Sequence, residues 1–209
     1  MTQIIDFILH IDKHLADILL EYGVWIYAIL FLIVFAETGF VVTPFLPGDS
    51  LLFAAGAMAA IGSMNYFLLL GLMITAALLG NFVNYTIGYF AGDKILAKGW
   101  IKTKYLEDTQ KYFDKYGALT IVLSRFAPII RTIAPFVAGV GKMDYKKFSF
   151  YNIVGGVCWV GICLSAGYFL GGFEIVKKNF SLITLCIIGV SAIPAVLGFL
   201  KAYRNSAEK

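Results

Sequence analysis

The apolar residues of this chain come in runs too long for the elements of a water-soluble fold. From Ser50 to Gly92, 43 consecutive residues carry no Asp, Glu, Lys or Arg. As one helix rising about 1.5 Å per residue, that run would reach roughly 65 Å, about twice the hydrocarbon thickness of a bilayer. The chain therefore has to turn back within it. Phe148 to Phe173 (26 residues) and Asn179 to Leu200 (22 residues) are each the length of one crossing. Residues 22–36 are also uncharged and continue through Glu37 to Val42, a first crossing with an acid inside it. Residues 116–124 and 132–141 are apolar but too short to span, and Arg125 and Arg131 separate them. That pattern predicts a re-entrant segment.

At the N-terminus, Ile4, Ile8, Ile11, Leu15 and Ile18 recur at helical spacing, with Asp6, His10, Lys13 and Asp17 on another face. This predicts an amphipathic helix lying at the membrane interface. The interrupting charges and the lack of a basic leading region argue against a cleavable signal. His10 and His14 are four apart, but no further His or Cys completes a coordination shell, so they read as part of a solvated face and no metal is expected. Cys158, Cys163 and Cys186 show no CxxC spacing and read as apolar packing residues.

An internal repeat organises the rest. GSMNY at 62–66 and GKMDY at 141–145 are offset by 79 residues, and GYFAG at 88–92 and GYFLG at 167–171 by 79 again. Ahead of the first match in each unit lies a proline-interrupted polar segment, TPFLPGDS at 43–50 and SRFAPIIRTIAP at 124–135, and these hold four of the five prolines. Each half reads as a re-entrant broken helical hairpin followed by a transmembrane helix. Pro44, Pro47 and Gly48 would shape the first hairpin, and Pro128 and Pro135 the second. The chain crosses the bilayer once between corresponding points, so the halves should face opposite ways, the inverted-repeat plan of secondary transporters. The expected fold is an all-α integral membrane protein. It comprises an amphipathic helix over 1–22, a first half over 23–92 with its hairpin at 44–62, and an amphipathic linker over 93–117. A second half over 118–173 follows, with its hairpin at 118–141, and then a C-terminal transmembrane helix and tail over 174–209.

Composition agrees: 60% of residues are hydrophobic and 14% charged, with mean hydropathy +0.82, against about a quarter charged in a soluble domain. The charges also orient the chain. With the linker cytoplasmic, 13 Lys and Arg residues fall inside and only Lys177 and Lys178 outside, a strong positive-inside bias. Both termini are then cytoplasmic, and topology accounts for the net charge of +4 without invoking nucleic acid.

Four charges remain in the apolar zone: Glu37, Asp49, Arg125 and Arg131. Each central charge costs roughly 2.5 to 3.5 kcal/mol on insertion scales, so pairing of two acids with two arginines would offset much of the burden. On a straight helix Arg125 and Arg131 would lie about 600° apart. Pro128 breaks the ladder between them and would let both reach one cavity. Structural readings stand beside this one. Asp49 suits an N-cap for a helix starting near Ser50, an arginine near a hairpin mouth can snorkel, and ion pairs can lock hairpins without any transport role. Asn81, Asn84, Tyr85 and Gly88 form a polar stripe that reads as helix packing, with the lining of a cavity as its alternative.

Glu37, FLPGDS at 45–50 and YGALTIVLSRFAPIIRTIAPFVAG at 116–139 closely resemble the DedA family of bacterial inner-membrane proteins, which shares its core with eukaryotic VTT-domain lipid scramblases. The resemblance covers roughly residues 23–172, with one departure, Ile129 where a small Gly is common. It implies membrane transport dependent on the proton motive force and the flipping of a lipid phosphate, notably undecaprenyl phosphate, in the bacterial inner membrane. It also implies essential acids at Glu37 and Asp49 and essential arginines at Arg125 and Arg131. Arginine can give bidentate hydrogen bonds to phosphate oxygens, so Arg125 and Arg131 are the expected phosphate ligands. Burial favours a neutral carboxyl and a nearby arginine a charged one, so Glu37 and Asp49 are the expected proton-coupling groups.

Other classes remain open: a scramblase or flippase of phospholipids such as phosphatidylethanolamine, a proton or cation antiporter of a small solute, and a structural membrane protein. Catalysis has little support, since no GxSxG, HExxH or P-loop occurs, and no cofactor is expected. The partners expected are the lipid substrate, protons and membrane lipids, with a homo-oligomer compatible with all of this. For the topology, a cysteine at Lys178 in a cysteine-free background should react with a membrane-impermeant maleimide in intact cells, and one at Lys104 only after permeabilisation. The reverse pattern would overturn the assigned orientation.

Overall fold

The computed structural model describes residues 23–39, 48–97, 103–171 and 173. All regular elements among them are helical. They are α1 (Trp25–Gly39), α2 (Gly48–Ala60), α3 (Tyr66–Ala97), α4 (Thr103–Tyr116), α5 (Thr120–Leu123), α6 (Pro128–Val140) and α7 (Tyr145–Gly171), with 3-10 turns at Gly117–Leu119 and Ser124–Phe126. The expected N-terminal amphipathic helix, the C-terminal crossing, and Pro44 and Pro47 lie outside the described residues.

Two segments are long and apolar enough to cross a membrane, Tyr66–Gly92 within α3 and Tyr145–Gly171, 27 residues each. At about 1.5 Å per residue each reaches roughly 40 Å, more than a hydrocarbon core of about 30 Å. Phe67, Phe90, Phe150 and Phe169 are exposed along them. These helices are thus apolar on outward as well as inward faces, as contact with lipid requires. α3 continues to Ala97, past the expected end at 92, and carries Lys94 in its last turn, where a cation suits the helix dipole. The expected linker therefore contains the end of α3 as well as α4.

The repeated pentapeptides make one turn twice. In the first, the Ser63 N–H bonds to the Met58 carbonyl (3.1 Å) and the Gly62 N–H to that of Ala59 (3.1 Å). In the second, the Met143 N–H bonds to the Ala138 carbonyl (2.9 Å) and the Lys142 N–H to that of Gly139 (2.9 Å). Both are the paired bonds of a Schellman close, which satisfy carbonyls left over at a helix end. The next long helix is then capped by a side chain. Asn65 Oδ1 accepts from the Leu68 N–H (3.0 Å) and Asp144 Oδ1 from the Lys147 N–H (2.9 Å). The left-handed residue differs, being Gly62 (φ +83°) in one turn and Lys142 (φ +49°) in the other, so the repeated glycine takes that role only once.

The described residues fall into two compact units, one comprising residues 23–27, 48–69, 163–171 and 173 and the other residues 28–39, 70–97 and 103–162. In the first, α2 lies against the end of α7. A Cβ at Gly56 would meet the backbone of Leu164 and Tyr168, one at Gly167 the backbone of Phe53, and one at Gly171 that of Ala57. Tyr66 closes the unit, its hydroxyl 2.8 Å from Ser165 Oγ and its ring 4.8 Å from that of Tyr168.

In the second, α6 lies against α3 through corresponding glycines. A Cβ at Gly139 would meet the backbone of Tyr85 and Tyr89, one at Gly88 that of Phe136, and one at Gly92 the side chain of Val140. Around this crossing Tyr85, Ile121, Ala134, Ala138 and Phe148 form a buried cluster, with the Tyr85 and Phe148 rings stacked at 4.3 Å. Gly88→Ala and Gly139→Ala should each destabilise the protein by about 1 to 3 kcal/mol through overpacking. Gly71→Ala, with nothing within 4 Å of the added Cβ, should be neutral or stabilising by up to about 1 kcal/mol. Thermal unfolding in detergent checks this; equal effects at all three positions would contradict the close crossing.

Candidate anion-binding site

Glu37, Arg125 and Arg131 are the charged residues buried among those described, 1%, 1% and 3% exposed, and all belong to the second unit. The last turn of α1 brings Glu37 in beside Thr38, whose hydroxyl donates back to the Val34 carbonyl (2.9 Å). Arg131 lies in the first turn of α6. Its Nη2 donates to Glu37 Oε1 at 2.5 Å, a buried ion pair.

The two arginines meet because the chain breaks between them. Arg125 lies in the 3-10 turn Ser124–Phe126. Ala127 is extended (φ −118°, ψ 103°), and Pro128 opens α6, where its missing N–H leaves no helical bond unmade. The new helix starts along a different direction, and Arg131 Nη1 approaches the Arg125 carbonyl at 3.4 Å. Both guanidinium groups lie over the ring of Trp159, with Cζ 5.8 Å from its centroid for Arg125 and 4.8 Å for Arg131. Pro135, expected to shape the hairpin, lies inside α6 without ending it. It removes the N–H that would bond to the Arg131 carbonyl in a regular helix.

Arg125 is held by neutral groups. Its Nη2 donates to Asn152 Oδ1 (2.7 Å), which also accepts from Asn81 Nδ2 (3.0 Å), while Asn152 Nδ2 donates to the Leu78 carbonyl (3.3 Å). Arg125 Nε and Nη1 and the Oδ1 atoms of Asn81 and Asn84 are buried without a hydrogen-bond partner among the described residues. Gly155 and Gly156 make room for this side chain, since a Cβ on Gly155 would stand 3.1 Å from Arg125 Cδ and 3.2 Å from Nε. Asn84 Nδ2 donates to the Thr38 and Thr132 carbonyls (3.1 and 2.7 Å), tying α1 and α6 to α3 beside the ion pair. The Asn81, Asn84, Tyr85 and Gly88 stripe thus packs helices, as expected, and its asparagines also frame the site.

Among the described residues of this unit two buried guanidinium groups stand with one buried carboxylate, an excess of positive charge. Burying an uncompensated charge is expensive, and the open N–H groups of Arg125 are the donors that an oxoanion accepts from. The other expected acid, Asp49, belongs to the first unit. α2 begins at Gly48, so Asp49 lies in the first helical turn with its side chain exposed, where a carboxylate suits the dipole. Asn152 and Trp159 went unremarked in the sequence reading. Their signal is a stripe on α7: Asn152, Gly155, Gly156 and Trp159 follow at i, i+3, i+4 and i+7, on one face inside a charge-free run.

Comparison with known proteins agrees with this architecture. A VTT domain model matches residues 46–169. Protein DedA of Escherichia coli strain K12 is 50% identical over 209 residues, covering 98% of this chain and 95% of that protein. An uncharacterized membrane protein of Mycobacterium tuberculosis strain H37Rv is 40% identical over 180 residues (84% and 79%). Inner membrane protein YghB of Escherichia coli strain K12 is 33% identical over 177 residues (83% and 78%). No solved structure matches the chain. With its break, its buried charges and these relatives in view, the chain belongs to the VTT-domain, or DedA, family of membrane proteins.

Proposed function

We propose that this protein is a transporter that moves a lipid phosphate, with undecaprenyl phosphate as the substrate of choice, between membrane leaflets with proton coupling. The observation that carries this reading is the buried pair of arginines, one neutralised by Glu37 and the other held only by neutral groups among its hydrogen-bond partners. A phosphate headgroup supplies the missing charge and several acceptor oxygens. As it takes Glu37's place on Arg131, the carboxylate loses its cation in a buried setting and takes up a proton. Phosphate binding and proton uptake are then two sides of one exchange. Asp49, the second acid that the family resemblance implies, is the other proposed proton-coupling group.

The route across the membrane follows from the repeat. Each half has a short helix, a Schellman turn and a capped long helix, and each short helix crosses a long one through glycines. This supports two hairpins of like build, with Gly48 at the start of the short helix in one and Pro128 at its start in the other. They would open the site alternately to the two leaflets while the tail stays in lipid. Charge placement supports cytoplasmic termini, and the name of Inner membrane protein YghB agrees with the proposed location in the inner membrane.

In proteoliposomes, Arg131→Ala and Glu37→Gln should each slow translocation of undecaprenyl phosphate by one to two orders of magnitude. This matches the loss of a charge-assisted interaction of about 1.5 to 3 kcal/mol. Wild-type rates in either variant would contradict the assignment. Restoration of activity by Glu37→Arg combined with Arg131→Glu would assign the pair to a structural lock instead.

A further inference from the structure

We propose that Trp159 is a positioning residue for the anion site, its indole holding Arg125 and Arg131 together when Glu37 releases Arg131; this rests on the phosphate-binding role given above. Exchange of Glu37 for a phosphate poses a physical difficulty. While Glu37 is in place, its charge offsets the repulsion between the two guanidinium groups. Once it is protonated, and before an anion is fully seated, two like charges face each other in a medium that screens them poorly. Unrestrained, they would part, and the site would have to reassemble around each incoming headgroup.

The structure puts a restraint where it is needed. Trp159 is 1% exposed and both guanidinium carbons lie over its ring, at 5.8 and 4.8 Å. The ring face carries the negative part of the aromatic quadrupole, and indole is the strongest such partner for a cation. A desolvated setting strengthens the attraction further. It is also independent of protonation, because indole does not titrate, so it persists when the carboxylate is neutralised. Among the described residues of this unit, the buried charged groups beside Glu37 are Arg131, paired with it, and Arg125, next to Arg131; Asn84 of α3, bonded to the neighbouring Thr38 carbonyl, and Trp159 of α7, under Arg131, are neutral.

Asn152 completes the seat from the same face of α7, two turns earlier. It takes Arg125 Nη2 and is itself fixed by Asn81 and the Leu78 carbonyl. This leaves Nε and Nη1 of Arg125 as donors with no hydrogen-bond partner among the described residues. Gly155 and Gly156, between Asn152 and Trp159, let the arginine lie flat against the helix. The four residues form one preorganised surface, so the anion does not bear the entropy of assembling it.

The test uses purified full-length protein with Trp25→Phe and Trp100→Phe, so that Trp159 is the only indole, and two soluble lipids with matched tails, dihexanoyl phosphatidic acid and dihexanoylglycerol. Phosphatidic acid should bind and shift the Trp159 emission, and dihexanoylglycerol should do neither. By equilibrium dialysis, Trp159→Phe and Trp159→Tyr should bind phosphatidic acid within about threefold of the parent. Trp159→Leu should weaken binding on the order of tenfold, the loss expected for two buried cation–π contacts. Equal binding by the Leu variant, or Phe and Tyr variants as weak as Leu, would overturn the proposal. So would saturating phosphatidic acid that leaves Trp159 emission unchanged, a readout that stands even if the Leu variant fails to fold. If phosphatidic acid does not bind the parent at all, the lipid-phosphate reading falls and this inference with it. If it binds and Trp159 proves indifferent, only this inference falls.

Discussion

A guanidinium group taken out of water carries a penalty of several kcal/mol, and this protein buries two within reach of one indole ring. Much of the second unit can be derived from that constraint. The chain must break so that residues six apart can face one point, and it does so at Ala127 and Pro128. A carboxylate must come from elsewhere in the sequence, and α1 delivers Glu37. A neutral acceptor must hold the arginine that has no carboxylate, and α7 supplies Asn152, whose Oδ1 also accepts from Asn81 of α3. Asn152 is itself fixed by the Leu78 carbonyl, and Asn84 ties α1 and α6 to α3 beside the ion pair, so the surroundings of the two arginines are held by hydrogen bonds from several helices.

Close helix crossings recur in both units of the described fold. Side chains at Gly88, Gly139, Gly56 and Gly167 would collide with the backbone of the facing helix. Without a hydrophobic effect between helices in lipid, such close backbone contact is what associates them. Both units use the same crossing, turn and cap, so the repeat extends from five-residue motifs to helix packing. The turns tolerate variation that the crossings do not. Lys142 adopts the left-handed conformation that glycine takes in the other turn, and Asp replaces Asn as the cap.

The long apolar runs, the repeat and the candidate charges were legible in the sequence because each has a one-dimensional signature. Crossing length, a fixed offset and a charge in an apolar setting can all be counted along the chain. The break at Ala127 and Pro128 was legible for the same reason, since proline has one strong local effect. The partner of each charge was not legible. Nothing along the chain distinguishes Glu37 from Asp49 as the mate of Arg131, because that choice is made by helix packing across a separation of 94 residues. Asn152 and Trp159 escaped notice because neither is charged, and a tryptophan in an apolar helix looks like core. Pro135 shows the limit of such local effects. It removes one helical hydrogen bond, and α6 continues through it to Val140.

The central claim is that a lipid phosphate takes Glu37's place on Arg131 and that the displaced carboxylate takes up the proton. Proton uptake on binding tests it most directly. Purified protein in weakly buffered detergent at pH 8.5, with a pH-sensitive dye, would be titrated with dihexanoyl phosphatidic acid, which is ionised before it binds. The account predicts close to one proton taken up per lipid bound by the wild type, and binding without that uptake by Glu37→Gln. Binding to the wild type with no proton taken up, or the same uptake in both proteins, would contradict it.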